Sequence, residues 1–143
     1  MGVDSRGAAL ADAFARATDC AVRTICDVDS RAMERVVSNL VKGGYSRPGK
    51  DDDVRRVLED PSIDALVVAA PDHWHAPVAL MALQAGKHVY LEKPCSHSPA
   101  EGELLVAAQA HYGHVLQMGN QQRSAPESIE AISRIREGLI GRP

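Results

Sequence analysis

Residues 70–77 read APDHWHAP, residues 85–94 read AGKHVYLEKP, and residues 118–124 read MGNQQRS. Each polar cluster follows a short apolar run and precedes a helical pattern. An open parallel sheet builds a ligand site in this way, because ligands sit beyond the carboxyl ends of its strands. The run before the first cluster, Ile63 to Ala70, contains Leu66, Val67, Val68 and Ala69 in succession. A strand covered on both faces reads like that. His88 to Leu91 and Val115 to Met118 read as the next two strands, and Val22 to Cys26 as an earlier one. Tyr45 to Lys50 has room for a short edge strand.

Helical patterns separate these runs. Ala8 to Thr18 is alanine-rich, with Leu10, Ala11, Phe14 and Ala15 at helical spacing. Asp29 is placed to cap a helix carrying Met33, Val36, Val37 and Leu40, and Gly43-Gly44 ends it. Asp51 to Asp53 precede a brief helix with Val54, Val57 and Leu58. Val78, Met81, Ala82 and Ala85 mark one face of the helix after the first cluster. Ser98-Pro99-Ala100-Glu101 is a capping box, and Leu104, Leu105, Ala108 and Tyr112 are the expected buried face behind it. Pro126 opens a last helix through Ile129, Ile132 and Arg136. Strands alternating with helices at this pitch predict right-handed βαβ units and an α/β doubly wound parallel sheet.

The 143 residues are the length of one domain with a real core, with 45% apolar and 24% charged residues. A formal charge of -3 leaves no electrostatic footprint for nucleic acid. No apolar run approaches a membrane span, and no basic-then-apolar leader follows Met1. Cys20, Cys26 and Cys95 are an odd count without paired metal spacing, so they are expected as reduced thiols in a cytoplasmic protein. A segment upstream of Met1 carrying an export signal would overturn that location.

Gly2-Val3-Asp4-Ser5-Arg6-Gly7 has the spacing of a G-x-G-x-x-G loop, whose following helix holds a pyrophosphate at its amino end. Asp27 lies about 20 residues further on, where an acid binds the adenosine ribose and repels a 2′-phosphate. This favours NAD, with NADP as the alternative. Two features depart from the pattern. Asp4 places a charged side chain at the second glycine position, and no strand precedes Gly2.

With Ala70 to His75, Glu92-Lys93-Pro94 and Gly119 to Arg123 in this order, the chain resembles the Gfo/Idh/MocA oxidoreductase family. The resemblance implies a Rossmann-like dinucleotide-binding domain over residues 1–143, with the first strand and the carboxyl-terminal α/β domain missing relative to the family. It also implies roles. Gly2 and Gly7 shape the pyrophosphate turn, and Asp27 contacts the adenosine ribose. Pro71 and His75 lie along the cofactor, and Glu92 binds the nicotinamide ribose. Lys93 reaches the substrate hydroxyl or carbonyl as the catalytic residue. Asn120, Gln121 and Arg123 border the cleft on the cofactor side. The expected activity is hydride transfer between a nicotinamide cofactor and a sugar, cyclitol or related polyol, by a full-length form that is a homo-oligomer.

Other readings stay open. A lone lysine is usually solvated surface, but a lysine beside Glu92 at a strand end suits a group that steadies an alkoxide or takes a proton. His73 and His75 flank Trp74 without a third metal ligand at suitable spacing. Trp74 is either the border of a sugar pocket or packing on its own helix, and Cys95 is read as packing. Redox-assisted glycoside cleavage with bound NAD is the second enzymatic reading, against which Lys93 argues because relatives of that type generally lack it. A non-catalytic nucleotide-binding remnant is the rival outside enzymology.

Overall fold

The computed structural model describes residues 1–141. Helices α1 (Arg6–Ala15), α2 (Ser30–Lys42), α3 (Val54–Glu59), α4 (His75–Gln84), α5 (Pro99–Tyr112) and α6 (Pro126–Arg136) alternate with strands β1 (Thr24–Cys26), β2 (Gly49–Asp51), β3 (Ala65–Val68), β4 (His88–Glu92) and β5 (Leu116–Gly119). All the strand pairings are parallel, in two groups, β1–β2 and β3–β4–β5. No helix among the described residues is long and apolar enough to cross a membrane.

The first residues join the two groups. The Met1 amino group donates to the Val67 carbonyl at 2.7 Å, and the Ala69 N–H donates to the Met1 carbonyl at 2.9 Å. On the other side the Gly2 N–H donates to the Cys26 carbonyl at 3.0 Å. Met1 and Gly2 therefore stand between β1 and β3 as a central strand would. Beside them the two walls enclose a cavity of about 320 Å³, bordered by Ala11 and Phe14 of α1, Thr24 of β1 and Ala65 of β3. Burial and the lost solvent hold the Met1 ammonium below its ordinary pKa.

Local chemistry accounts for most helix ends. Asp29 and Asp53 accept from the Arg31 and Arg55 N–H groups at the starts of α2 and α3. Ser98 accepts from the Glu101 N–H, while Glu101 reaches back past the cap to the His97 N–H at 2.6 Å. The α2 stripe of Met33, Val36, Val37 and Leu40 is buried as its spacing predicts. Several expected boundaries and faces shift. Helix α1 begins at Arg6 rather than Ala8, and the strands are shorter than their apolar runs. In α5 only Leu105 and Ala108 are buried, three residues apart, toward α4, while Leu104 is 56% exposed and Tyr112, on the same stripe at the helix end, is 37% exposed. In α4, Ala85 is exposed and the buried surface wraps round Val78, Ala79, Ala82 and Leu83.

Candidate NAD-binding site

Parallel strands bring their carboxyl ends to one edge of the sheet. Asp27 follows β1, Ala70 and Pro71 follow β3, Glu92 ends β4, and Asn120 follows β5. The register sets Glu92 opposite Gly119 and Leu91 opposite Val68. The turn from Gly2 to Arg6 enters the same edge.

That turn needs its glycines. Gly2 has φ 76°, and a Cβ there would lie 2.6 Å from the Ala70 N. A Cβ on Gly7 would fall 1.7 Å from the Gly2 carbonyl oxygen. Asp27 holds the turn from below: Oδ2 accepts from the Val3 N–H at 2.7 Å and Oδ1 from the Asp29 N–H at 2.9 Å. A carboxylate has about four acceptor sites, so these two bonds leave capacity for ribose hydroxyls. Helix α1 opens behind the turn. Unlike α2, α3 and α5, it has no side-chain cap. Its leading N–H groups are left for an outside anion. Asp4, expected at the phosphates, is drawn aside: its carboxylate meets Arg35 of α2 at 2.6 Å, and Arg35 also bonds the Asp4 carbonyl. The glycine cradle, the uncapped helix and the acid after β1 fit a dinucleotide.

The second half of the site is built on β4. Glu92 is 3% exposed, and its Oε1 accepts from Arg6 Nε at 2.8 Å. Its Oε2 accepts from the Lys93 N–H at 3.3 Å. The guanidinium of Arg6 is held above its ordinary pKa, chiefly by the hydrogen bond to Glu92. Lys93 itself is exposed, and the Lys93–Pro94 peptide is cis. Pro71 is exposed and caps a 3-10 turn over Asp72–Trp74. Trp74, 47% exposed, ends that turn at the start of α4. Asn120 is half-buried, and its carbonyl accepts from the Arg123 N–H, closing the exposed turn of Gln121 and Arg123.

His75 departs from its expected place along the cofactor. It is 1% exposed, with Nδ1 2.5 Å from the Pro94 carbonyl and Nε2 2.8 Å from the Ala70 carbonyl. It lies under the cleft and ties the end of β3 to the segment after β4. Both ring nitrogens are spent on backbone, because the helix start at residue 75 turns the side chain inward. Sequence reasoning missed Arg6 as a structural partner. Its signal was a long cation inside a turn that otherwise favours small residues.

The model of the oxidoreductase family with an NAD-binding Rossmann fold matches residues 2–120. Among curated proteins, the chain is 31% identical to a glycosyl hydrolase family 109 protein of Saccharopolyspora erythraea, covering 99% of this chain and 32% of that protein. It is 27% identical to an alpha-N-acetylgalactosaminidase of Shewanella oneidensis with the same coverage. Among solved structures, myo-inositol dehydrogenase of Lactobacillus casei, in complex with NAD(H) and myo-inositol, has TM-score 0.81 at 26% identity, covering 99% of this chain and 41% of that one. Myo-inositol 2-dehydrogenase of Lactobacillus plantarum has TM-score 0.84 at 20% identity, over 99% of this chain and 41% of that one, which shows the shared fold. The chain thus spans about a third of the length of these curated relatives. With the glycine turn, the acid after β1 and the Glu92-Lys93-Pro94 strand end on one edge of the sheet, the chain belongs to the Gfo/Idh/MocA oxidoreductases as an NAD-binding Rossmann domain.

Proposed function

We propose that this domain serves hydride transfer between NAD and a ring carbon of a sugar, cyclitol or related polyol. The observation that carries the reading is the end of β4, where an exposed Lys93 follows a buried Glu92 on the same edge as the open α1 terminus and Asp27. Bound at this edge, NAD supplies a hydride acceptor or donor. The backbone of Gly2 to Gly7 and the α1 terminus hold its pyrophosphate, and Asp27 its adenosine ribose. Glu92 faces the nicotinamide ribose, with Pro71, Asn120, Gln121 and Arg123 along the remaining length. A carbon losing hydride needs its hydroxyl to lose a proton. The Lys93 ammonium steadies the resulting negative charge, and in its neutral form it takes the proton. The length of the relatives that this chain does not match supplies the other wall of the substrate cleft and an oligomer contact.

A second reading shares the same hydride step. The relatives named as a glycosyl hydrolase family 109 protein and an alpha-N-acetylgalactosaminidase favour redox-assisted cleavage of a glycoside, in which NAD would be regenerated within each turnover. The two readings part at the product. A dehydrogenase accumulates NADH with a polyol substrate. A redox-assisted glycosidase releases the aglycone of an N-acetylgalactosaminide with no net NADH.

Cofactor binding is tested on residues 1–143 by calorimetric titration with NAD and NADP, with NAD expected to bind more tightly. Turnover is tested in a protein that joins this domain to the remaining length of a relative, by absorbance at the NADH band and by aglycone release. Lys93→Ala is expected to abolish turnover and leave NAD affinity within about threefold of the unmodified protein. Equal turnover by Lys93→Ala would remove Lys93 from the chemistry.

A further inference from the structure

We infer that Arg6 is a positioning residue that sets Glu92 for the nicotinamide half of the cofactor while standing in the turn that holds the phosphate half. The inference rests on the NAD reading above and adds a residue to it. Arg6 is the first residue of α1 and Glu92 the last of β4, 86 positions apart in the chain. Their contact is a charge-assisted hydrogen bond at 2.8 Å between Arg6 Nε and Glu92 Oε1. The two partners differ in surroundings: the Arg6 side chain is 38% exposed and that of Glu92 only 4%. A buried carboxylate needs a partner or it reverts to the neutral form. Among the described residues Arg6 is the cation bonded to it.

The space around the pair is closely fitted. The Tyr90 hydroxyl and Glu92 Oε1 both crowd the α-carbon of Gly119 on β5, where a Cβ would lie 2.7 Å from the first and 2.9 Å from the second. Glu92 is therefore held from three sides, by Arg6 of α1, by the Lys93 N–H on its own strand and by the bare backbone of β5. Arg6 alone reaches it from the pyrophosphate turn. Movement of the turn when an anion binds at α1 would be felt at Glu92 through this pair. The groups facing Glu92 that carry or can carry charge are Arg6 and Tyr90.

The test is calorimetric titration of the unmodified chain, Arg6→Met, Arg6→Lys, Glu92→Gln and the double variant Arg6→Met/Glu92→Gln with NAD. Arg16→Met, at the cap that ends α1, serves as a control, since Arg16 is exposed and, among the described residues, is paired with Asp12. Arg6→Met is expected to weaken NAD binding by roughly tenfold or more, the usual weight of a hydrogen bond to a charged group. Arg6→Lys is expected to recover part of the loss. The double variant is expected to bind no worse than the weaker single variant, because both changes break one interaction. A merely structural arginine would lower stability and leave NAD affinity unrescued by Arg6→Lys, which restores the charge at Glu92. Unchanged NAD affinity in Arg6→Met, no recovery in Arg6→Lys, or additive losses in the double variant would each overturn the inference alone. No NAD binding by the unmodified chain would overturn it together with the reading it rests on.

Discussion

On the β3–β4–β5 side of the molecule, α4 is enclosed on nearly every face: Val78, Ala79, Ala82 and Leu83 are all 0% exposed, packed with Val68, Val89 and Leu91. On the β1–β2 side the strands have three residues each, and one stripe of α2 closes a smaller cluster around Val3 and Ile25. Cys26 and α3 carry the larger cluster across to β1 and β2, and Phe14 of α1 meets Tyr90 of β4 edge-on; beyond these, the first residues of the chain and a few polar struts tie the two sides. Those struts are Gly2 to Cys26, Val3 to Asp27 and Arg6 to Glu92. Packing density and site chemistry thus fall in different places. The apolar mass lies to one side, and the groups assigned to the cofactor straddle the joint, where the backbone is least crowded and polar atoms remain open.

This contrast predicts unequal costs for equal truncations. Leu83→Ala empties a site walled by β3, β4 and α5, and is expected to lower stability by about 4 kcal/mol. Leu10→Ala removes the same atoms from α1, whose neighbouring turns border the cavity beside Met1. The surroundings there can close in, so the expected cost is about 2 kcal/mol. Urea midpoints of the two variants measure the difference. Equal costs would show that the sides are equally rigid.

His75→Leu is expected to come next, at about 2 kcal/mol, because it removes the one N–H that a neutral imidazole gives to the Ala70 or the Pro94 carbonyl in a buried place. The loss is expected in thermal denaturation together with weaker retention of the Lys93 segment, seen as faster amide exchange at residues 93–96. Loss of stability with unaltered exchange there would mean that His75 supports α4 alone.

Asp27→Ala sharpens the comparison at the joint. Because Asp27 also holds the Val3 N–H, its removal is expected to weaken NAD by roughly tenfold and NADP as well, the scale of a lost charge-assisted bond. A carboxylate that only excluded the 2′-phosphate would instead leave NADP unharmed or improved. Titrations with both dinucleotides separate these outcomes.

The dense side was the more legible in sequence. Leu66 to Ala69 is a continuous apolar run and Val78 to Leu83 lies on a regular helical period, so burial follows from pattern. The joint was not legible, since its bonds connect residues 24 to 86 positions apart and depend on which backbone groups face each other. Asp27 was placed correctly after its strand, but its two backbone bonds carry no sequence signal. His75 is put along the cofactor by the family resemblance, not by a pattern in the residues. Its burial depends on the rotation of α4 about its axis, which the short polar stretch before it does not fix. Exposed Leu104 and Ile129 mark the same limit, because helical spacing predicts a stripe without saying whether a neighbour covers it.

Asp4→Gly is expected to have a smaller effect and to act only through charge. The Asp4 carboxylate is already turned to Arg35, an exposed pair of the kind worth under about 1 kcal/mol. Removing it frees Arg35 and withdraws a negative charge near the phosphates. NAD affinity is expected to rise by roughly two- to fivefold at low salt and to converge with the unmodified chain near 1 M salt, where screening is short-ranged. A gain that survives high salt would point to a steric cause at the second position of the turn.

The smallest effect separates the two sides by pH. Apart from Asp60, held down by the Ser62 N–H before β3, the carboxyls held below their ordinary range gather beside β1 and β2. Asp29 is held down by the Arg31 backbone and side chain, Glu34 by Lys50, and Asp51 by Arg56. Asp53 is lowered from 3.8 to about 2 by hydrogen bonds from the Arg55 side chain and backbone. A carboxyl depressed in the folded state adds stability in full above its unfolded pKa, and that stability is lost as pH falls through the folded value. The window for Asp53 therefore runs from about pH 4 down to about pH 2. Glu34 is exposed and the three aspartates are half-buried with exposed arginine partners, so each contribution is small and weakened by salt. Acidification through that window is expected to release amide protection in β1, β2 and the start of α3 before β3 and β4. Asp53→Asn keeps a side-chain acceptor for the α3 cap but not the ion pair with Arg55. It is expected to shrink the acid-induced drop in melting temperature and to lower the neutral value by the same small amount. Simultaneous loss of protection across all five strands, with the same acid drop in Asp53→Asn, would mean that the joint transmits unfolding as fast as the weaker side begins it.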